Sequence, residues 1–208
     1  MITDRVAAFP LFAWPLQRAI ISNIDAENDY IKHIVDTEQF RSNQTNHIHT
    51  DDYILARPEL QRLKDDIHQL VERYTFDTLA YKNVTCELEQ SWINVSKPGQ
   101  FHNVHYHPNV IISGTYYPFG STGAPIAFMN PNRFQIQPDT ANSNNPMSMI
   151  SRPVVYIDCG PGELLLWLAT LSHAVHSNGS DDKRISLAFN YMIRGSMGQH
   201  QSLDRLDL

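Results

Sequence analysis

Two short segments carry residues whose types and spacing suit metal chemistry. The first is FHNVHYHPNVIISGTYY, residues 101–117. His105 and His107 lie two apart, and alternate residues of a β-strand share a face with Cα atoms roughly 6.5–7 Å apart. Two imidazoles at that spacing can converge on one ion. His102 is three residues from His105, so a regular strand points it the other way. The second segment is LWLATLSHAVHSNGSDDKRISLAFN, residues 166–190. Asn178-Gly179 is a hairpin signal between two apolar runs. Pairing about that turn sets His173 opposite Arg184, and directly opposed residues share a face. His173 and Arg184 are therefore expected to look into one cavity, with His176 facing away.

Along the run that follows, Arg184, Ser186, Ala188 and Asn190 share one face, while Ile185, Leu187, Phe189 and Tyr191 share the other. A buried face with a guanidinium, a hydroxyl and an amide is costly unless it meets something polar. A dicarboxylate suits it, because guanidinium pairs bidentately with carboxylate and the serine adds a further donor. The plainer alternative for Arg184 is an ion pair with Asp181 or Asp182.

These motifs, in this order, resemble the Fe(II)/2-oxoglutarate-dependent oxygenases. More narrowly, His105-Tyr106-His107-Pro108, the following SGTYY, and His173 with RISLAFN eleven residues on resemble a subfamily of small stand-alone 2-oxoglutarate–Fe(II) oxygenases. The resemblance covers about residues 90–193, from Trp92-Ile93-Asn94 onward. It implies a double-stranded β-helix, the jelly-roll or cupin-like fold, and an Fe(2+) bound by His105 and His173. It also implies a 2-oxoglutarate carboxylate gripped by Arg184 and Ser186, with Tyr117 and Asn94 assisting.

The usual oxygenase triad is two histidines and a carboxylate. Here His107 stands at the carboxylate's position. Three neutral imidazoles leave the site one unit more positive, which favours an anionic co-substrate. Three-histidine iron also serves cupin-like dioxygenases that use no 2-oxoglutarate, where Arg184 would bind the substrate's own carboxylate. A zinc-bearing, non-enzymatic jelly-roll module is the third alternative, since three imidazoles with an open position suit zinc. An HxH pair alone decides nothing: His47-Ile48-His49 repeats the pattern within SNQTNHIHTDD and is expected to be a solvated loop.

The elements that must position these residues follow from periodicity. Residues 25–36 predict a short helix. Residues 58–74 predict a longer one, with Pro58 in its first turn and Leu60, Leu63, Ile67, Leu70, Val71 and Tyr74 as an apolar stripe. After residue 80 the period becomes two: Val84, Cys86 and Leu88 alternate with polar residues. Further strands are expected at 92–95, 110–117, 126–129, 154–157, 163–168 and 185–193. Helices followed by many short strands make an α+β protein whose body is a sandwich or barrel. We expect one domain over 1–208, mainly helical to residue 80, with N-terminal helices packed on a jelly-roll core at 81–195. Residues 118–153, rich in Asn, Pro, Ser and Gly, read as a lid or substrate loop. Arg133 and Arg152 within it are candidate contacts for an anionic substrate, with a solvated arginine as the commoner alternative for each.

Composition excludes several classes. The net charge is −6 with no Lys/Arg cluster, so nucleic acid is a poor partner. No run of about 20 apolar residues is present to span a membrane. Cys86 and Cys159 are too few for a disulfide framework and read as buried free thiols. The N-terminus lacks a signal-peptide pattern. A cytoplasmic enzyme acting on a small molecule or a protein side chain is expected.

Overall fold

The computed structural model describes residues 13–121, 123–132, 148–198 and 206–208. In chain order the strands are β1 (Leu16–Ile20), β2 (Phe40–Asn43), β3 (Asn46–His49), β4 (Val84–Ser96), β5 (His102–His105), β6 (Ile112–Tyr117), β7 (Ile126–Met129), β8 (Val154–Ile157), β9 (Glu163–Leu168), β10 (His173–Val175), β11 (Arg184–Met197) and β12 (Leu206–Asp207). Two helices, α1 (Asp25–Thr37) and α2 (Gln61–Arg73), occupy the predicted positions, and Pro58 opens a 3-10 turn that leads into α2.

The larger sheet runs β1-β9-β6-β11-β4-β3-β2, with β12 added to β11; the smaller runs β5-β10-β7-β8. Pairing within both is antiparallel. The two sheets form the double-stranded β-helix. Two apolar clusters hold it together. The α1 residues Ile31 and Ile34 and the α2 residues Leu63, Ile67 and Val71 pack with Ile93, Ile185, Leu187, Phe189 and Tyr191 of the larger sheet. A smaller cluster joins Tyr117, Leu165 and Trp167 of that sheet to Ile126 and Phe128 of the other. The face of β11 that carries Arg184 and Ser186 is thus turned toward the second sheet, and the opposite face toward the helices.

β4 is one strand where two runs are expected. It pairs with β11 from Arg184↔Ser96 to Gly195↔Val84, with a register shift where Asn190↔Gln90 is followed by Tyr191↔Leu88. The extra residue on β4, Glu89, is a bulge. It brings Val84, Cys86 and Leu88 onto the same face as Ser91, Ile93 and Val95, which is why the sequence pattern changes phase mid-strand.

Two expectations are corrected. His47-Ile48-His49 is no solvated loop: it lies in β3, paired with β2 and β4. His49 is buried, with its ring nitrogens against Glu38 and the Asp51 amide. The Asn178-Gly179 hairpin does not form either, because β10 and β11 belong to different sheets. Asn178 instead ties the crossing together: its Nδ2 donates to the Ser96 and Asp182 carbonyls, and its backbone pairs with Gly99 and Gln100. Of the expected loop, residues 133–147, Arg133 among them, lie outside the described residues; β7 and β8 flank that stretch.

Candidate metal and co-substrate centre

His105 closes β5 and His173 opens β10, and the two are direct cross-strand partners. Their ring centroids are 4.3 Å apart. His107 lies just past β5, where its backbone N–H donates to the Ala169 carbonyl at 2.9 Å and fastens it to the turn after β9. Its ring centroid is 5.2 Å from that of His105 and 5.2 Å from that of His173. One nitrogen from each of the three rings lies within 4.8 Å of the others.

The hydrogen bonds on the far side of these rings dictate which nitrogen faces inward. His105 Nδ1 sits 2.8 Å from the Asn103 carbonyl and His173 Nδ1 3.0 Å from the Leu171 carbonyl. A carbonyl only accepts, so both rings carry their proton on Nδ1 and leave the Nε2 lone pair available, the arrangement of metal-ligating histidines. Burial holds the set unprotonated. Desolvation, with the neighbouring imidazoles adding to it, pushes His107 down to about 4 and His173 well below the usual histidine value. His105 is lowered by burial as well.

His102 is the residue that sequence spacing misplaces. Two steps along β10, from His173 to Val175, match three along β5, from His105 to His102. This irregularity cancels the odd spacing, and His102 lines the same cavity, its ring centroid 4.1 Å from that of His105. Burial and the adjacent imidazoles lower its pKa to about 4. Its Nε2 lies 3.4 Å from Asn43 on β2, so it stands beside the three-histidine set and outside it. His176 does face away from the centre, edge-on to Tyr156 at 6.1 Å.

Across the cavity stand Arg184 and Ser186 of β11, Asn94 of β4 and Tyr117 of β6, all lining it. His173 and Arg184 therefore meet in one cavity, though by facing each other from two sheets and not as hairpin partners. Arg184 is 2% exposed. Its Nη1 donates to Ser186 Oγ at 3.0 Å, its Nε to the Ala124 carbonyl at 3.2 Å, and its Cζ lies 5.2 Å from the Tyr117 ring centre. Among the described residues it has no carboxylate partner, so the alternative of a structural ion pair with Asp181 or Asp182 falls.

Three further buried polar atoms on the cavity wall have no hydrogen-bond partner among the described residues: the Tyr117 hydroxyl, Asn94 Oδ1 and Trp167 Nε1. Burial raises the Tyr117 hydroxyl well above its ordinary value, so it remains a donor. Unmet buried polar groups cost about 1–3 kcal/mol each, and several around one cavity point to a polar ligand. Sequence reading missed Trp167. Its place in ELLLWL marks it only as a core strand residue, and its Nε1–H becomes relevant through packing against His173, 4.9 Å between centroids. Asn46 of β3 also lines the cavity, and nothing in its sequence context signals that. The residues present thus suit a divalent metal on one wall and a carboxylate-bearing molecule on the other.

Residues 90–190 match the family model described as "Putative 2OG-Fe(II) oxygenase". No curated protein matches the chain. Solved structures share the fold at low identity. The epimerase SnoN from nogalamycin biosynthesis, described as non-heme and alpha-ketoglutarate-dependent, aligns with a TM-score of 0.65 at 12% identity, over 91% of this chain and 81% of its own. HygX from Streptomyces hygroscopicus, solved with nickel, 2-oxoglutarate and hygromycin B, aligns with a TM-score of 0.60 at 11% identity, over 86% and 83%. A Pseudomonas putida prolyl-4-hydroxylase aligns with a TM-score of 0.59 at 12% identity, over 89% and 96%. The fold, the matched segment spanning both motifs and the histidine cluster between the sheets agree: over residues 90–190 the chain is similar to the 2-oxoglutarate- and Fe(II)-dependent oxygenases, and it shares their fold.

Proposed function

We propose that this enzyme holds Fe(II) through His105, His107 and His173, binds 2-oxoglutarate through Arg184 and Ser186, and hydroxylates a small molecule or a protein side chain. The observation that carries this reading is Arg184: a buried guanidinium without a carboxylate partner among the described residues, across the cavity from three convergent imidazoles. Burying an unpaired charge costs several kcal/mol, and a dicarboxylate bound there offsets it.

When bound, the metal and 2-oxoglutarate would supply the oxidising chemistry with O₂ as the oxidant: the co-substrate is oxidatively decarboxylated to succinate and CO₂, one oxygen atom of O₂ entering the succinate and the other the substrate. The protein's own residues orient and sequester. Arg184 and Ser186 fix the far carboxylate by charge-assisted hydrogen bonds. Tyr117 adds a donor, and the Asn94 carboxamide can turn to present its Nδ2. Three neutral histidines leave the ion's full double positive charge to attract the anion. α1 and α2 share a core with the sheet that bears Arg184, so this reading treats 1–208 as one domain acting in the cytoplasm.

The three-histidine set itself favours a second reading, a cupin-like dioxygenase that uses no 2-oxoglutarate. One experiment separates the two. Protein loaded with Fe(II) under argon is titrated with 2-oxoglutarate while the visible spectrum is recorded. A metal-to-ligand charge-transfer band that appears in the wild type and is lost in Arg184→Ala supports the first. Iron binding without any such band favours the second.

A further inference from the structure

His107 occupies the ligand position where a carboxylate is usual, and its surroundings differ from those of the other two histidines. Among the described residues, no backbone carbonyl is hydrogen-bonded to its Nδ1. The side-chain Nδ2 of Asn190, on β11, lies 3.1 Å away instead. Asn190 is 4% exposed and in turn takes a 2.8 Å hydrogen bond at Oδ1 from Ser113 Oγ, its cross-strand neighbour on β6. Ser113 is buried too. The Trp92 ring stacks on His107, 5.8 Å between centroids at 25°. Asn190 sits at the register shift between β11 and β4, and bulges commonly re-aim a side chain beside a functional site.

In this arrangement the carboxamide N–H donates to Nδ1, which places the His107 proton on Nε2, the nitrogen a metal needs free. The chain Ser113–Asn190–His107 has a second arrangement of identical shape. A half-turn of the carboxamide presents Oδ1 to His107 and Nδ2 to the serine. The serine hydroxyl can accept as readily as donate. His107 then donates from Nδ1, and its Nε2 lone pair faces His105 and His173. The ring exchanges its proton between nitrogens through solvent, with no net proton released.

We propose that Asn190, seated by Ser113, is the positioning residue for the third ligand: it accepts the Nδ1 proton of His107 and so presents Nε2 to the metal. A neutral amide fills this role where a carboxylate would return a negative charge to the centre. This inference rests on the three-histidine reading above. It adds a two-state hydrogen-bond chain that the other two histidines lack.

The test is Co(II) affinity by calorimetry under argon, with the thermal midpoint of the metal-free protein recorded for every variant. Asn190→Leu keeps the shape and removes the acceptor. It is expected to weaken Co(II) binding by roughly 10–100-fold, the usual cost of losing a partner of a ligating histidine. Asn190→Asp restores an acceptor and is expected to bind within a few-fold of wild type, or tighter. Wild-type affinity in Asn190→Leu overturns the proposal. So does equal weakening in both variants, which would make Asn190 a packing residue. If Asn190→Leu does not fold, Ser113→Ala carries the test: an affinity at or near wild type overturns the proposal, and a weakening of about 10-fold supports it. Wild-type binding that His173→Ala leaves untouched would instead remove the three-histidine centre itself.

Discussion

His102 and His105 stand three residues apart on one strand, yet their rings lie 4.1 Å apart on the same wall of the cavity. The irregular pairing of β5 with β10 makes this possible. The cavity therefore holds four imidazoles, of which three have their ligand atoms within 4.8 Å of one another.

Metal binding should separate the two classes. His173→Ala is expected to lose more metal affinity than the roughly 10–100-fold typical of removing a ligand's partner. His102→Ala should lose less than about 10-fold, since its Nε2 is turned to Asn43. Fe(II) or Co(II) titration of both variants checks this. Equal losses would place His102 among the ligands.

Arg184 should dominate co-substrate affinity and leave metal affinity alone. Truncating one side of a buried charge pair costs about 2–5 kcal/mol, so Arg184→Ala is expected to raise the 2-oxoglutarate Kd by about 30-fold or more. Arg184→Lys keeps the charge and loses the fork, and should fall between. Both are read from the anaerobic charge-transfer band. An unaltered Kd in Arg184→Ala would place the anion elsewhere.

Trp167 offers a buried N–H with no partner among the described residues. Trp167→Phe keeps an aromatic ring against His173. A hydrogen bond to a charged acceptor contributes about 1.5–3 kcal/mol, so about a 10-fold or greater rise in 2-oxoglutarate Kd is expected. Unchanged affinity in a folded variant would show that this donor meets another ligand.

Stability of the metal-free protein should depend on pH through the histidines. Burial and neighbouring imidazoles lower His102 and His107 to about 4, below the unfolded value of 6.5. Between those values the unfolded chain binds protons that the folded chain refuses. Stability therefore rises with pH across this window and levels off above it. The thermal midpoint in the presence of chelator should climb from pH 4.5 to 6.5. His102→Asn should flatten the climb, and an identical slope in that variant would contradict the assignment.

Gly114, the glycine of SGTYY, is a packing requirement. A Cβ there would fall 2.4 Å from the Phe189 ring and 2.7 Å from Leu166 Cδ2. Overpacking costs about 1–3 kcal/mol, and contact this short places Gly114→Ala at or above the top of that range. Chemical denaturation measures it. A variant as stable as wild type would show that Phe189 has room to turn.

The sequence by itself determined the helices, most of the strands and which face of β11 is polar, because these follow from local period: 3.6 for a helix, two for a strand. That polar face already held Arg184, Ser186 and Asn190, and the HxH spacing held His105 and His107. Only the tertiary structure decided what meets across the cavity. β10 and β11 look like a hairpin in sequence, yet they enter different sheets, so His173 and Arg184 meet face to face. Irregular pairing on β5 overrode the parity that sent His102 outward, and sheet pairing drew the polar segment around His47 and His49 into β3. Trp167 and the Ser113–Asn190–His107 chain arise from contacts between strands distant in sequence. Period reports the environment of one element at a time; bulges and sheet membership belong to pairs of elements, and they brought the histidines together.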